Sequence, residues 1–351
     1  MSVELEGVTL QKTVGICLIG AGRAGTVHGK NFSRYIVGSK VVAVVDSYAE
    51  NAMKAAEEFG AEKWYTDHKE ALKQENIDAV VITTPTFTHA EIAIDAAEAG
   101  KHIFCEKPMA LTLKEADEMI GAARRAGVKL QMGFMRRFDP EFQAAKRMIE
   151  EGTIGKLALV KSTGRGPTLP PQWACDPKTS IGMLAEVNSH DFDTVRWFMG
   201  SDIKKVYAEA EALAVPELKD KYPSFYDNAV VMLRFTNGSL GLIDGACPVK
   251  YGYDARVEIL GTEGVMLIGE LKYQAIMICK KEIGVYTSTF PSWRNRFREA
   301  YLEEDKHFVD CIMNDKEPIV TGEDGRVALE AALAATKSII EGAPITLPLS
   351  P

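Results

Sequence analysis

The 351-residue sequence has few cysteines, and no pairing pattern links them. The six cysteines are scattered without a Cys-x-x-Cys pair, at Cys17, Cys105, Cys175, Cys247, Cys279 and Cys311. This scatter carries no metal-binding signature and is typical of reduced thiols. We therefore expect a cytoplasmic protein without a metal site.

Long apolar runs and basic clusters are also missing. No apolar stretch approaches the roughly 20 residues that a membrane span needs. The first residues, MSVELEGVTLQK, contain two acidic side chains and lack the apolar core of a signal peptide. Lysine and arginine total 41 against 49 aspartates and glutamates, a formal net charge of −8. Because nucleic-acid binding needs clustered Lys and Arg, we expect neither a nucleic-acid nor a membrane partner.

Up to about residue 134, strand and helix patterns alternate along the chain. Helical stretches separate five apolar strands, predicted at 14–20, 40–46, 77–85, 101–108 and 129–134. Two helix starts, Ser47 with Glu50 and Thr112 with Glu115, have the spacing of a capping box. Continuous Val/Ile strands between amphipathic helices predict a doubly wound parallel sheet covered on both faces, an α/β domain.

Beyond Asp139 and Pro140, which predict the start of a linking helix, strand patterns dominate. They are predicted at 157–163, 204–212, 227–236, 239–246, 255–260, 264–269 and 274–279. Helices are predicted at 182–199 and 325–342. This pattern predicts an α+β domain with a large, mostly antiparallel, open-faced sheet, and such a face favours a homodimer or homotetramer. The predicted domains are 12–138 and 139–351, with the last helix packing back on either one.

A glycine-rich stretch, GAGRAG, follows the first strand and opens the first helix. Gly20 permits a tight turn, Gly22 lets the backbone approach a pyrophosphate, and Gly25 lets the helix sit close to the strand. The helix N-terminus offers unpaired N–H groups to the anion. The predicted cofactor contacts here are Gly20, Gly22, Arg23, Ala24 and Gly25.

Asp46 ends the second strand, 21 residues after Gly25. At that place an acid accepts hydrogen bonds from the adenosine ribose and repels a 2′-phosphate, so NAD is favoured over NADP. Arg23 is the counterargument, because an arginine there can hold a phosphate. The carboxyl ends of later strands face the same crevice. They supply the further predicted cofactor contacts Thr84, Pro85, Thr86, His89, Glu106, Lys107 and Arg136.

Lys107 is predicted at the carboxyl end of a buried strand, beside the expected nicotinamide position. Removal of a hydride from a secondary alcohol needs a base and a group that stabilises the developing alkoxide charge. A lysine at this position suits either task. The alternative is a surface lysine in a loop.

Glu186 and His190 are four residues apart on the predicted helix 182–199. That spacing puts them on one helix face, where the carboxylate can orient the imidazole and raise its basicity. A surface ion pair is one alternative. A metal site is another, although zinc usually takes three protein ligands and no third ligand is evident.

Together these motifs resemble the Gfo/Idh/MocA oxidoreductase family, named for glucose–fructose oxidoreductase and inositol 2-dehydrogenase. The resemblance covers nearly the whole chain, through GAGRAG, TTPTFTH, EKP, GFMRRFDP and GYDARVEILGTEG. GFMRRFDP and FREAYLEEDKHFVDCI look especially like the inositol 2-dehydrogenase branch. The resemblance implies a Rossmann domain, oligomers formed through an open-faced sheet, and chemistry performed by Lys107 and His190.

Two departures from that branch bear on the substrate. Inositol dehydrogenases that resemble this chain have aspartate where Glu186 stands, and His-Arg-Asn where the chain has Gly164-Arg165-Gly166. Because two hydrogen-bonding side chains are replaced by glycine, we expect a wider pocket. Such a pocket favours another inositol isomer, a pyranose or a glycoside over myo-inositol.

The sequence therefore predicts NAD-dependent oxidation of a secondary alcohol of a cyclic polyol, sugar or glycoside to a ketone. The predicted base is His190, oriented by Glu186, and Lys107 stabilises the reacting oxygen. The predicted substrate contacts are Lys107, Arg136, Arg165, Trp173, Asn188, His190 and Tyr253. The alternatives are an NAD-recycling glycoside hydrolase of the same family and a non-catalytic sugar or dinucleotide sensor.

Overall fold

The computed structural model describes residues 13–282 and 284–349. The segment MSVELEGVTLQK and the predicted domain ends at residues 12 and 351 lie outside this range. The described chain contains two main sheets, and helices cover both faces of the first sheet and one face of the second.

The first sheet is parallel throughout. Its strands are β1 (Val14–Ile19), β2 (Ser39–Val45), β3 (Lys63–Tyr65), β4 (Ala79–Ile82), β5 (His102–Glu106) and β6 (Leu130–Gly133). The helices among them are α1 (Arg23–Lys30), α2 (Ala49–Phe59), α3 (His68–Leu72), α4 (His89–Glu98) and α5 (Leu113–Ala126). The strand order β3-β2-β1-β4-β5-β6 confirms the doubly wound prediction.

Burial explains why these strands read as continuous apolar runs. Every residue of β1 and β4 is buried, because helices cover both sheet faces. Since the strands are parallel, the carboxyl ends of β1, β2, β4 and β5 meet at one edge of the sheet. The segments that follow those ends carry the predicted cofactor residues.

The two predicted capping boxes have different outcomes. At α5, Thr112 Oγ1 accepts a hydrogen bond from the Glu115 backbone N–H, and the Glu115 carboxylate accepts from Thr112 N–H, as predicted. At α2 the prediction is wrong, because the N-cap is Tyr48 and no side chain caps it. The neighbouring Asp46 carboxylate instead accepts from the Tyr48 N–H, so this helix starts after a turn organised by Asp46.

The second sheet has seven strands. They are β7 (Leu157–Arg165), β8 (Ile203–Glu211), β9 (Asn228–Phe235), β10 (Leu240–Ala246), β11 (Asp254–Gly261), β12 (Val265–Ile268) and, after a separate hairpin of β13 (Lys272–Lys280) and β14 (Gly284–Thr289), β15 (Ile345–Thr346). The strand order is β12-β11-β7-β10-β9-β8-β15. All neighbours pair antiparallel except β7 with β10, which confirms a mostly antiparallel sheet.

Helices cover one face of this second sheet. The helices of this half are α6 (Pro140–Glu150), α7 (Gln172–Cys175), α8 (Met183–Glu186), α9 (Ser189–Met199), α10 (Trp293–Arg296), α11 (Arg298–Met313) and α12 (Gly322–Glu341). Helix α12 packs on β8 and α9 and also on α5 and β6 of the first half. The exact division of the chain at residue 138 stays a prediction.

The predicted helix 182–199 is broken in the structure. Helix α8 ends at Glu186 and α9 begins at Ser189, so Val187 and Asn188 lie outside regular helix. The Asn188 amide turns inward to donate to the Gly164 carbonyl oxygen and the Asp191 carboxylate. Because the helix is interrupted there, the predicted shared face of Glu186 and His190 does not form.

Candidate active site

A cavity of about 830 Å³ opens between the carboxyl edge of the first sheet and the helix-covered face of the second. Most of the predicted site residues line it. They are Gly20, Gly22, Arg23, Ala24, Asp46, Thr84, Pro85, Thr86, Glu106, Lys107, Arg136, Trp173, Glu186, His190 and Tyr253.

 The lining runs from Ile19 in the first half to Tyr301 in the second. Both halves of the chain therefore form one cavity.

The glycine-rich turn is shaped for a close approach to its backbone. Gly20 has φ +99°, and a Cβ added to Gly25 would lie 2.0 Å from the Gly20 carbonyl oxygen. At Gly22, by contrast, no described residue other than its own neighbours along the chain comes within 4 Å of the position that a Cβ would take. Gly25 thus sits in a helix–strand contact and does not line the cavity, whereas the open side of Gly22 fits a pyrophosphate.

Asp46 is held at the cavity wall by backbone donors. Its Oδ2 accepts from the Ala21 N–H at 2.9 Å, and its Oδ1 accepts from the Tyr48 N–H at 2.9 Å. These contacts fix the carboxylate beside the glycine-rich turn, where it can accept from ribose hydroxyls. The turn and the acid together fit a dinucleotide.

His89 does not line the cavity, unlike its predicted neighbours Thr84, Pro85 and Thr86. Its ring is buried, with Nδ1 2.8 Å from the Pro108 carbonyl oxygen and Nε2 2.9 Å from the Thr84 carbonyl oxygen. The imidazole therefore links the loop after β4 to the turn after Lys107. The geometry supports a positioning role for His89 and not the predicted cofactor contact.

Lys107 and Glu186 meet in the cavity. Lys107 Nζ donates to the Glu186 backbone carbonyl oxygen at 2.6 Å. The Glu186 carboxylate accepts from the Thr86 hydroxyl at 3.0 Å and from the Ser180 hydroxyl at 3.0 Å. Burial raises the pKa of Glu186 to about 7, although Lys107 and the two hydroxyls act in the opposite direction. This carboxyl therefore changes its charge near neutral pH.

His190 is a buried, neutral imidazole. Burial, followed by the positive charges of Lys107 and Arg136, holds its pKa well below the usual 6.5. Within the described part of the chain its Nδ1 has no hydrogen-bond partner. The predicted orientation of His190 by Glu186 is wrong, because the broken helix separates them and the Glu186 oxygens bind Thr86 and Ser180.

Two predicted substrate contacts lie away from the cavity. Alternate residues of a strand point to opposite faces, so Gly164 and Gly166 face the cavity while Arg165 faces away. Arg165 pairs with Asp244, with 2.5 Å between Nη2 and Oδ2. Asn188 is fully buried behind the Gly164 backbone. The geometry supports no direct sugar contact by either side chain.

The space expected from the two glycines is also partly filled. A Cβ at Gly164 would lie 2.1 Å from Asp191 Oδ2, and a Cβ at Gly166 would lie 3.0 Å from Cys247 Sγ. Neighbouring side chains therefore occupy part of the room that the glycines leave. The two glycines therefore widen the pocket less than the sequence predicts.

Sequence reasoning missed several groups that line the cavity or bind a lining residue. Ser180 binds the Glu186 carboxylate, and the Phe87 ring lies 6.4 Å from the Trp173 ring at the cavity wall. Trp293 and Tyr301 reach the cavity from α10 and α11. The segment FREAYLEEDKHFVDCI contains Tyr301, but no local pattern indicates that Phe308 of this helix packs against Phe104 of β5.

One cluster in the described chain has the spacing of metal ligands. His68, Glu91 and Asp95 bring their ligand atoms within 4.8 Å of one another. Lys69 Nζ, however, lies 3.0 Å from the Glu91 carboxylate and 3.4 Å from that of Asp95. An ammonium thus already offsets part of the negative charge of this cluster. The absence of a metal stays a prediction.

Two family patterns match consecutive parts of the chain. Residues 14–134 match the Gfo/Idh/MocA pattern described as an oxidoreductase family with an NAD-binding Rossmann fold. Residues 146–347 match the C-terminal alpha/beta domain of that family. The predictions of the family and of an NAD-binding domain are thereby confirmed. Separately, no helix in the described residues is long and apolar enough to cross a membrane.

Similar proteins match over almost their whole length. The chain is 38% identical to scyllo-inositol 2-dehydrogenase (NAD(+)) of Bacillus subtilis over 96% of this chain and 97% of that protein. It is 36% identical to myo-inositol 2-dehydrogenase of Thermotoga maritima, over 93% and 96%. The structure of scyllo-inositol dehydrogenase from Lactobacillus casei with NAD(H) and scyllo-inositol superposes with a TM-score of 0.88, at 28% identity over 95% and 99%.

Proposed function

Because this chain belongs to the Gfo/Idh/MocA oxidoreductase family, we propose that it oxidises a secondary alcohol of a neutral cyclic polyol or sugar to a ketone with NAD. The observation that carries the proposal is the meeting of Lys107, Glu186 and His190 in the cavity that also contains Gly22 and Asp46. The inositols named for the similar proteins are the first candidate substrates.

Each reacting group has a distinct task in this proposal. Lys107 Nζ, an N–H donor within the cavity, donates to the substrate oxygen and stabilises its developing negative charge. The neutral imidazole of His190 accepts the hydroxyl proton. When bound, NAD supplies the acceptor for the hydride that leaves the carbon. The charged form of Glu186 stabilises the ammonium of Lys107 beside it.

The cofactor end is formed by the glycine-rich turn and Asp46. The open backbone at Gly22 and the N-terminus of α1 would hold the pyrophosphate, and the Asp46 carboxylate would accept from the ribose hydroxyls. The preference for NAD over NADP stays a prediction. So does the cytoplasmic location.

The test is direct. Purified protein is mixed with NAD or NADP and a panel of inositols, free sugars and glycosides, and formation of the reduced cofactor is followed by absorbance. We expect NADH with at least one neutral polyol or sugar. Lys107→Ala and His190→Ala should remove turnover, while NADH binding, measured by fluorescence, should persist.

Two other outcomes would contradict the proposal. Release of an aglycone without net NADH would indicate an NAD-recycling glycoside hydrolase. Tight binding of NADH and sugar without turnover would indicate a sensor.

The open face of the second sheet supports a homodimer or homotetramer. Exposed apolar side chains on this face and its adjoining strand include Val230, Met232, Leu240, Leu260 and Leu267. Exposed apolar side chains grouped on one face in this way are typical of interaction sites. A second copy of this chain would cover it.

A further inference from the structure

Two glycines face each other beneath the cavity. Gly164 of β7 and Gly245 of β10 are directly paired in register. A Cβ at Gly164 would lie 2.1 Å from Asp191 Oδ2, and a Cβ at Gly245 would lie 2.4 Å from Asn188 Oδ1. The missing side chains therefore make the room that Asp191 and Asn188 occupy between α9 and the sheet.

Asp191 uses this room to hold Arg136. Its Oδ1 accepts from Arg136 Nη1 at 2.7 Å and from Ser162 Oγ at 2.6 Å, and its Oδ2 accepts from Asn188 Nδ2 at 2.8 Å. Both charged groups are buried, with relative exposures of 0% for Asp191 and 2% for Arg136. Burial of either charge alone is costly, so the pair is mutually required.

Arg136 also lines the reaction cavity. It lines the cavity with His190, and its charge lowers the pKa of that imidazole. Arg136 Nε has no hydrogen-bond partner among the described residues. Without Asp191, this wall would present an uncompensated guanidinium in a water-poor site, where it would attract an anion strongly.

We propose that Asp191 is a specificity-determining residue, which makes the cavity select neutral polyols over sugar acids by neutralising Arg136. The inference rests on the proposed function, since it concerns the substrate class of the same cavity. Asp191 acts through Arg136 and is a positioning residue. Selectivity of this kind arises from the charge balance of a site as well as from attractive contacts.

Glucose and glucuronate provide a matched test, because they differ in a CH₂OH group against a carboxylate. Each is titrated into NADH-loaded protein by calorimetry, and each is assayed as a competitive inhibitor of polyol oxidation. Wild-type protein should bind glucose more tightly than glucuronate. Asp191→Asn keeps the side-chain shape and removes the charge. The ratio of the affinity for glucuronate to the affinity for glucose should therefore rise by about tenfold or more, which corresponds to about 1.4 kcal/mol.

Two further variants separate charge from packing. Ser162→Ala removes one hydrogen bond from the same carboxylate but keeps its charge, so the ratio should stay at the wild-type value. Arg136→Gln leaves Asp191 uncompensated and should move the ratio further toward glucose. If Asp191→Asn fails to fold, the wild-type ratio and the Arg136→Gln shift still test the proposal.

An unchanged ratio in folded Asp191→Asn, or a wild-type preference for glucuronate, would overturn the inference. Equal weakening of both ligands would also overturn it, because a purely structural role has that effect. Failure of the proposed function is distinguishable. In that case no polyol or sugar is oxidised, although the calorimetric ratio can still be measured.

Discussion

The charge of Glu186 controls the expected pH dependence. Its pKa is raised to about 7 by burial, so the carboxyl is neutral below that pH and charged above it. Because the charged form stabilises the Lys107 ammonium, we expect kcat/KM for polyol oxidation to rise through about pH 7. Glu186→Gln should remove this rise and lower the rate at higher pH, as measured from pH–rate profiles.

Ser180→Ala is the matched control for that profile. The Ser180 hydroxyl lowers the pKa of Glu186 by hydrogen bonding, so its removal should move the rise to higher pH without abolishing it. His190 does not account for a rise near pH 7, because its pKa is held well below 6.5. Persistence of the wild-type profile in Glu186→Gln would show that another group titrates.

Residue types predicted most members of the site but not the direction in which every side chain points. Lys107, Glu186 and His190 were predicted for one site and line one cavity. Arg165 was misplaced because a shift of one position along a strand reverses the face of the sheet. Asn188 and the Glu186–His190 contact were misplaced because a break in the helix depends on nonlocal packing against Gly164 and Gly245.

At the scale of elements, two glycines of the glycine-rich turn have different roles. Gly22 is expected to affect cofactor binding, and Gly25 is expected to affect stability. Gly22→Ala has open space for its new methyl group, so the thermal midpoint without cofactor should stay near the wild-type value. The methyl group would occupy the expected pyrophosphate approach, so NADH affinity should fall by at least about tenfold. Calorimetry and thermal unfolding measure the two effects.

Gly25→Ala is the contrasting variant. Its Cβ would lie 2.0 Å from the Gly20 carbonyl oxygen, so the contact between α1 and β1 must open. We expect a lower thermal midpoint even without cofactor. Equal losses of stability in both variants would contradict the separate roles assigned to Gly22 and Gly25.

The helix caps offer a second contrast. Thr112→Ala removes the side-chain acceptor of a complete capping box, so it should destabilise α5 by about 1 kcal/mol. Ser47→Ala should have little effect, because Ser47 is not the N-cap of α2. Denaturant unfolding followed by circular dichroism measures both changes. A comparable loss for Ser47→Ala would contradict the observed start of α2.

Capping patterns show what local sequence can predict about an element. Both candidate boxes have the right residues at the right spacing, yet the backbone adopts the box at Thr112 and not at Ser47. At Ser47 the competing acceptor is Asp46, which binds the Tyr48 N–H and the Ala21 N–H. The second contact joins segments distant in sequence, so spacing within the helix does not predict it.

At the scale of the molecule, periodicity predicted the two sheet types. Buried parallel strands gave continuous apolar runs, whereas β9 alternates buried and exposed residues. The short strands β3 and β15 have three and two residues and too little pattern to predict. The parallel pairing of β7 with β10 also depends on tertiary packing, since these strands are far apart in the sequence.

The exposed face of the second sheet leads to a prediction about assembly. Val230 and Met232 lie two positions apart on β9 and are 49% and 53% exposed, so both point to the same open face. We expect wild-type protein to have a dimeric or tetrameric mass by light scattering. The double change Val230→Glu and Met232→Glu should give a monomer, because charge would face charge across a symmetric interface.

Val37→Glu is the control for that experiment, because Val37 is 85% exposed in the first half of the chain, away from the second sheet. It should retain the wild-type mass. The double variant should keep the wild-type circular dichroism spectrum, since its changed side chains are exposed. A monomeric wild-type protein at micromolar concentration would contradict assembly, and an unchanged mass in the double variant would exclude this face as the interface.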